Sequence, residues 1–143
     1  MGGVALARGA YAEGSRPVVS YMTQARAADD VPNFNKRGDN DKEFAKKVGM
    51  TIVKKARPTT KDFTLQDYKF KEVKPGRTEL HLEVGYKGAT GFTKYTAKPV
   101  VTIDTSNKDK WEVLRIDYED NNRLTYSRKN VESLVKDFND ASK

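Results

Sequence analysis

The sequence predicts an α+β fold in which a helix precedes a four-stranded antiparallel meander and a second helix follows it. Residues 62–120 alternate apolar and polar positions, as strands do when one face of a sheet is buried. Turn-forming residues interrupt this alternation three times, and a helix-like apolar stripe lies on either side of it. A chain of 143 residues fits one domain of this kind.

Residues 1–38 differ in composition, and we expect an irregular arm there or the remnant of a targeting segment. The first 28 residues hold seven Ala, four Gly and three Arg, but one Glu and no Lys. Such a segment resembles an organellar transit peptide or the tail of an export signal, and the A-x-A patterns at 10–12 and 25–27 have the form of processing sites. A flexible arm is the alternative. Residues 29–40 have the composition of a linker, so we place the α+β domain at 39–143.

The first helix begins after Asn40, which can cap it together with Glu43. Proline disfavours helical geometry in the residue before it, so Arg57 and Pro58 mark the end. Gly49 either weakens this helix or permits close packing against the sheet. The apolar positions recur at intervals of three and four residues and form one face: Phe44, Ala45, Val48, Ile52, Val53 and Ala56.

The first two strands are predicted at 63–73 and 78–86, joined by a tight turn at 74–77. In the first strand the apolar positions change parity near its start, which predicts a bulge or a later start of the strand. The second strand has the clearest alternation in the chain. Its inward-facing residues are Leu80, Leu82, Val84 and Tyr86.

The third and fourth strands are predicted at 92–104 and 110–119. Pro99 indicates an edge position or a bulge in the third strand, because proline donates no hydrogen bond to a sheet. The fourth strand changes parity between Val113 and Leu114, which predicts a bulge or burial on both faces. Ser127 can cap the final helix, whose apolar residues lie at 131, 134, 135 and 138.

The composition excludes several chemistries. The chain has no cysteine, so it contains no disulfide, thiolate nucleophile or cysteine-ligated metal site. No stretch reaches the roughly 20 apolar residues that a membrane-spanning helix needs. The net charge of +7 favours acidic proteins, anionic lipid or nucleic acid as partners.

We predict no catalytic, cofactor-binding or metal-ligating residues. His81 is the only histidine, and it shares a strand face with Glu79 and Glu83, as an ordinary solvent-facing histidine would. The acidic residues near 104–109 and 117–122 lack the spacing of a calcium loop. The candidate site is instead a basic interaction surface on the first helix: Lys46, Lys47, Lys54, Lys55 and Arg57.

The order of elements over residues 40–141 resembles the cystatin-like and nuclear-transport-factor-2-like layouts, in which a curved sheet wraps a helix. The stretch 106–114 (SNKDKWEVL), with RKNV at 128–131, also resembles small plastid proteins of plants and algae. That resemblance implies a chloroplast or thylakoid accessory protein without catalytic residues or a cofactor.

Three functions remain open from the sequence. The first is a non-enzymatic accessory or subunit-like protein that binds another protein or a membrane complex, such as a photosystem, in an organelle. The second is a small-ligand-binding or catalytic domain with a pocket between sheet and helix. The third is a nucleic-acid or anionic-surface binder that uses the basic helix face.

Overall fold

The computed structural model describes residues 31–143, which form a two-layer α+β domain. The arm or targeting segment predicted for the start of the chain, with its processing sites, lies outside the described residues up to position 30. The predicted fold class is confirmed: a helix, an antiparallel sheet and a C-terminal helix follow one another. The elements are α1 (Asp41–Ala56), β1 (Lys61–Lys74), β2 (Arg77–Lys87), β3 (Lys94–Ala97), β4 (Val100–Asp104), β5 (Glu112–Asp117) and α2 (Arg128–Ala141).

The helix caps form as predicted. The Asn40 side chain accepts a hydrogen bond from the Glu43 N–H at 3.0 Å. At the start of α2, Ser127 accepts one from the Asn130 N–H. Each cap satisfies a backbone donor that has no partner within its helix, which fixes where the helix begins.

The sheet is a meander in the order β1-β2-β4-β5, with β3 also paired to β2. The single predicted third strand is therefore two strands, because the ladder is interrupted between Ala97 and Val100. β3 pairs with the end of β2 and β4 with its beginning, so both continue along the same neighbour. Pro99 causes the interruption, since it has no N–H to donate, although its carbonyl still accepts from Leu82 at 3.1 Å.

At both parity changes the structure has a bulge, which is one of the two alternatives predicted for each strand. In β1 the register shifts between Leu65 and Asp67, so Gln66 is the additional residue. In β5 the partners of Thr102 and Ile103 are Arg115 and Val113, so Leu114 has no partner in β4. Each bulge returns apolar side chains to the helix-facing side of the sheet after the parity change.

The core lies between the sheet and the two helices. The inward residues of β2 are fully buried, and Tyr86 among them is 2% exposed. A Cβ atom at Gly49 would lie 2.7 Å from the Val84 Cγ2 atom, closer than carbon atoms approach in proteins. Gly49 therefore permits close contact between α1 and β2, which is the second of the two roles predicted for it.

The free edge of β5 is covered by a side chain of α2. The Asn139 amide donates to the Val113 carbonyl at 2.9 Å and accepts from the Val113 N–H at 2.8 Å. One side chain thus takes the place of a neighbouring strand residue, which keeps this edge from remaining unpaired.

Residues 31–40 are irregular in backbone but packed on the domain. Phe34 is completely buried, and its ring lies 5.0 Å from that of Phe44 and 5.2 Å from that of Phe138. The Arg37 guanidinium lies 3.4 Å from the centre of the Trp111 ring. Their composition predicts a linker, because Phe34 is the only large aromatic among many turn-forming residues.

Candidate functional site

Four of the five predicted basic residues lie on the solvent face of α1. Lys46, Lys47, Lys54 and Lys55 are all exposed, and we call them the lysine face. Lys47 and Lys54 are two turns apart, so their side chains emerge on nearly the same side of the helix. No Asp or Glu occurs from position 44 to position 61. Among the ion pairs of residues 31–143, none involves these four ammonium groups.

Arg57, the fifth predicted residue, is placed differently. It is only 8% exposed, and its Nε donates to the Asp120 carboxylate at 2.6 Å. Its Nη2 donates to the carbonyls of Asn122 and Leu124. Arg57 therefore belongs to a buried polar cluster and does not extend the lysine face.

The buried cluster centres on Asp120, whose side chain is 1% exposed. The hydroxyls of Tyr86 and Tyr118 donate to one of its oxygens at 2.9 and 2.7 Å, and the Asn122 N–H donates to the other at 2.6 Å. A buried carboxylate needs such compensation, because it loses its hydration on folding. The cluster ties the end of α1 to β2 and to residues 118–124.

The protonation states follow from this geometry. Burial by itself would raise the pKa of Asp120, but Arg57, Tyr118 and the Asn122 N–H outweigh it and lower that pKa below its usual value. Burial, helped by the bond to Asp120, raises the pKa of Tyr86 to about 12. The same causes raise the pKa of Tyr118. At neutral pH the cluster is thus an ionised carboxylate, a guanidinium and two neutral phenols, which suits a structural role.

His81 lies on the face of the sheet turned away from the helices, as its parity predicts. Its Nε2 is 2.8 Å from the Glu79 Oε1 atom, and both side chains are partly exposed. Together with Lys69, Glu83 and Lys98, His81 lines an open groove of about 270 Å³. Within residues 31–143 there is no group of three or more side chains that could hold a metal ion.

The aromatic residues of the sheet are engaged in packing. Tyr86 and Tyr95 lie with ring centres 5.5 Å apart, and Trp111 packs edge-on against Phe70 at 6.4 Å. The groove that His81 lines is on the opposite side of the sheet from these rings. The ligand-binding hypothesis expects a pocket between sheet and helix. A pocket there would require these ring contacts to be broken.

Comparisons with protein-family models, curated proteins and solved structures find no match for this chain. In the part of the chain that the structure describes, no helix has the length and apolar character needed to cross a bilayer.

Proposed function

We propose that this chain is a non-enzymatic accessory protein of an organelle, the chloroplast in particular, and that it binds an acidic surface of a protein in a membrane-associated complex. The observation that carries this proposal is the lysine face. Four ammonium groups, in two Lys-Lys pairs of one helix with no carboxylate between the pairs, form a surface that makes no ion pair within the described domain. Such a surface gains Coulomb energy and a faster encounter rate with an acidic partner.

The buried cluster supports an assignment to binding. Asp120, Tyr86 and Tyr118 are ionisable groups of the buried cluster, and the side-chain hydrogen bonds of each are made to other residues of the cluster. The hydrogen bonds of the cluster stabilise the conformation of residues 118–124. The exposed lysines are therefore the candidates for contact with another molecule.

Crosslinking in a native organelle extract tests the partner class. A lysine-reactive crosslinker should join Lys46, Lys47 or Lys54 repeatedly to acidic segments of one protein. The charge reversal Lys46→Glu with Lys47→Glu should abolish recovery of that protein, whereas Lys108→Glu with Lys110→Glu, on the exposed 105–110 turn, should not. Recovery of a free monomer alone would contradict the proposal, as would recovery that is lost on nuclease treatment, which would indicate nucleic acid.

The compartment is tested separately. The Arg-bearing, acid-poor composition of residues 1–28 and the resemblance to plastid proteins support organellar targeting. A fluorescent protein fused after Lys143 should accumulate in the organelle, and the mature N-terminus should fall after the A-x-A pattern at 10–12 or the one at 25–27. A diffuse cytoplasmic signal with residue 1 retained would contradict this part of the proposal.

A further inference from the structure

One end of the domain carries all of its excess positive charge. α1 ends there, β1 begins, β2 ends, β3 begins and α2 begins. Lys61 is paired with Lys87, and Lys87 with Lys94, across the three strands. The Ser127 N–H donates to the Ala56 carbonyl at 3.1 Å, which joins the start of α2 to the end of α1. We call residues 54–62, 87–94 and 121–130 the basic end; it includes Lys54 and Lys55 of the lysine face, whereas Lys46 and Lys47 lie two turns further back on α1 and do not belong to it.

The charge census separates this end from the rest. The basic end holds nine Lys or Arg and one acid, Asp62, and the buried Asp120 neutralises one of these cations, Arg57, which leaves a net charge of +7. The other described residues hold fifteen Lys or Arg and fifteen further acids, a net charge of zero. The +7 of the chain is therefore concentrated in three segments that folding brings together, and it produces a strong field at that end.

The basic end contains a row of three neighbouring lysines that lowers the stability of the sheet. Lys61, Lys87 and Lys94 are direct cross-strand neighbours, and like charges in that position destabilise a sheet. Asp62 offsets part of the repulsion, since its carboxylate lies 3.5 Å from the Lys87 ammonium. A row of like charges that the fold neutralises only in part favours a ligand of opposite charge.

Two large apolar side chains project from the same end. Phe92 is 88% exposed on the 88–93 loop, and Leu124 is 72% exposed on the loop before α2. Both loops are held in place: the Gly88 N–H donates to the Thr93 carbonyl, and the Leu124 carbonyl accepts from Arg57. The Gly88–Thr93 bond thus closes the loop that carries Phe92, and the bond from Arg57 fixes the backbone of Leu124.

We propose that the basic end rests on the surface of an anionic lipid bilayer and that Phe92 and Leu124 enter the headgroup region. The combination of charge and apolar tips favours a bilayer over a nucleic acid, because phosphates attract the lysines but offer Leu124 no apolar medium. The headgroup boundary provides both. The proposal goes beyond the protein partner of the lysine face, since it gives the domain a second contact and an orientation on the membrane.

Co-sedimentation of the full chain with vesicles tests this. The chain should bind phosphatidylcholine vesicles that contain phosphatidylglycerol, should bind pure phosphatidylcholine vesicles weakly, and should dissociate as salt is raised. Lys87→Gln with Lys94→Gln should weaken binding about tenfold or more, because each cation near an anionic surface contributes appreciably. Phe92→Ser with Leu124→Ser should weaken it by about tenfold while the salt dependence remains.

Matched variants at the other end control for charge and for apolar surface. Lys108→Gln with Lys110→Gln, and Val73→Ser at an exposed position beside the β1–β2 turn, should bind like the unchanged chain. Phe92→Trp should show a blue shift of its fluorescence when anionic vesicles are added, which reports insertion even if the serine variants unfold. Lys46→Glu with Lys47→Glu, which tests the protein partner, should retain vesicle binding.

Several results would overturn the proposal. These are failure to bind anionic vesicles, equal binding to neutral vesicles, equal losses in the control variants, or an unshifted tryptophan. Tighter binding to a single-stranded oligonucleotide than to vesicles, insensitive to the Phe92 and Leu124 changes, would also overturn it in favour of nucleic acid. Failure of the unchanged chain to recover any protein partner, with vesicle binding intact, would instead refute only the proposed function.

Discussion

At the scale of single residues, Asp120 is the centre of the buried polar cluster. Its carboxylate receives an ion pair, two phenol hydrogen bonds and a backbone N–H while its side chain is almost completely buried. Its partner Arg57 is 63 positions away in the chain, so local sequence patterns give no sign that the two meet. For that reason the sequence predicts Arg57 to be one more exposed basic residue at the end of a basic helix.

Asp120→Asn should destabilise the domain by about 3–5 kcal/mol, because it leaves the Arg57 guanidinium buried without its counter-ion. Urea unfolding followed by circular dichroism measures the effect. Asp117→Asn, on the exposed face of β5, is the matched control and should cost less than about 1 kcal/mol. Equal losses in the two variants would show that the buried cluster contributes nothing particular.

The same cluster predicts the pH dependence of stability. Because the pKa of Asp120 is lowered by folding, its contribution is complete above the unfolded pKa of about 3.9 and is lost as the pH falls through the folded value. The pKa of Tyr86 is raised from 10.0 to about 12, so its contribution is complete below pH 10.0 and is lost towards pH 12. Unfolding free energy measured across pH should decline in both regions, and Asp120→Asn should flatten the acid decline. An acid decline unchanged by that substitution would contradict this assignment.

At the scale of secondary structure elements, the pattern of side chains predicts most of what is found. The parity changes near Leu65 and at Val113 predict bulges, and both bulges lie where the parity changes. The division of the third strand is not fully predictable, because Pro99 is compatible with an edge position or a bulge as well as with the interruption that the structure shows. Phe34 is missed for a different reason: one aromatic in a linker-like stretch carries no periodicity.

Gly49→Ala should test the contact between α1 and β2. Alanine favours a helix by roughly 1 kcal/mol over glycine, but the new Cβ would meet the stiff Val84 side chain at 2.7 Å. We expect a net loss of about 1–2 kcal/mol in chemical denaturation. In a Val84→Ala background the same substitution should become neutral or stabilising. Stabilisation by Gly49→Ala alone would show that the contact is not tight.

Asn139→Ala should expose the edge of β5. It removes both hydrogen bonds to the Val113 backbone, which we expect to cost about 2–3 kcal/mol. Amide exchange of Val113 should accelerate in this variant. Asp140→Ala, one position along on the exposed side of α2, should leave that exchange unchanged. A Val113 amide that remains protected without Asn139 would mean that another group covers this edge.

At the scale of the whole molecule, folding turns a modest overall charge into a strongly polarised domain. The nine cations of the basic end come from three segments separated by strands, and only the register of β1, β2 and β3 places the lysines side by side. Composition therefore predicts an acidic or anionic partner, while the location of the contact depends on the tertiary structure. The lysine face was predictable, because it lies on one helix; the basic end was not.

Amide hydrogen exchange of the full chain, with and without phosphatidylglycerol-containing vesicles, tests this polarity most directly. The polarised charge predicts added protection at residues 88–94 and 121–127, and none at the 105–110 turn at the other end of the sheet. Protection confined to that turn or to the His81 face of the sheet, or no change at any described residue, would contradict it.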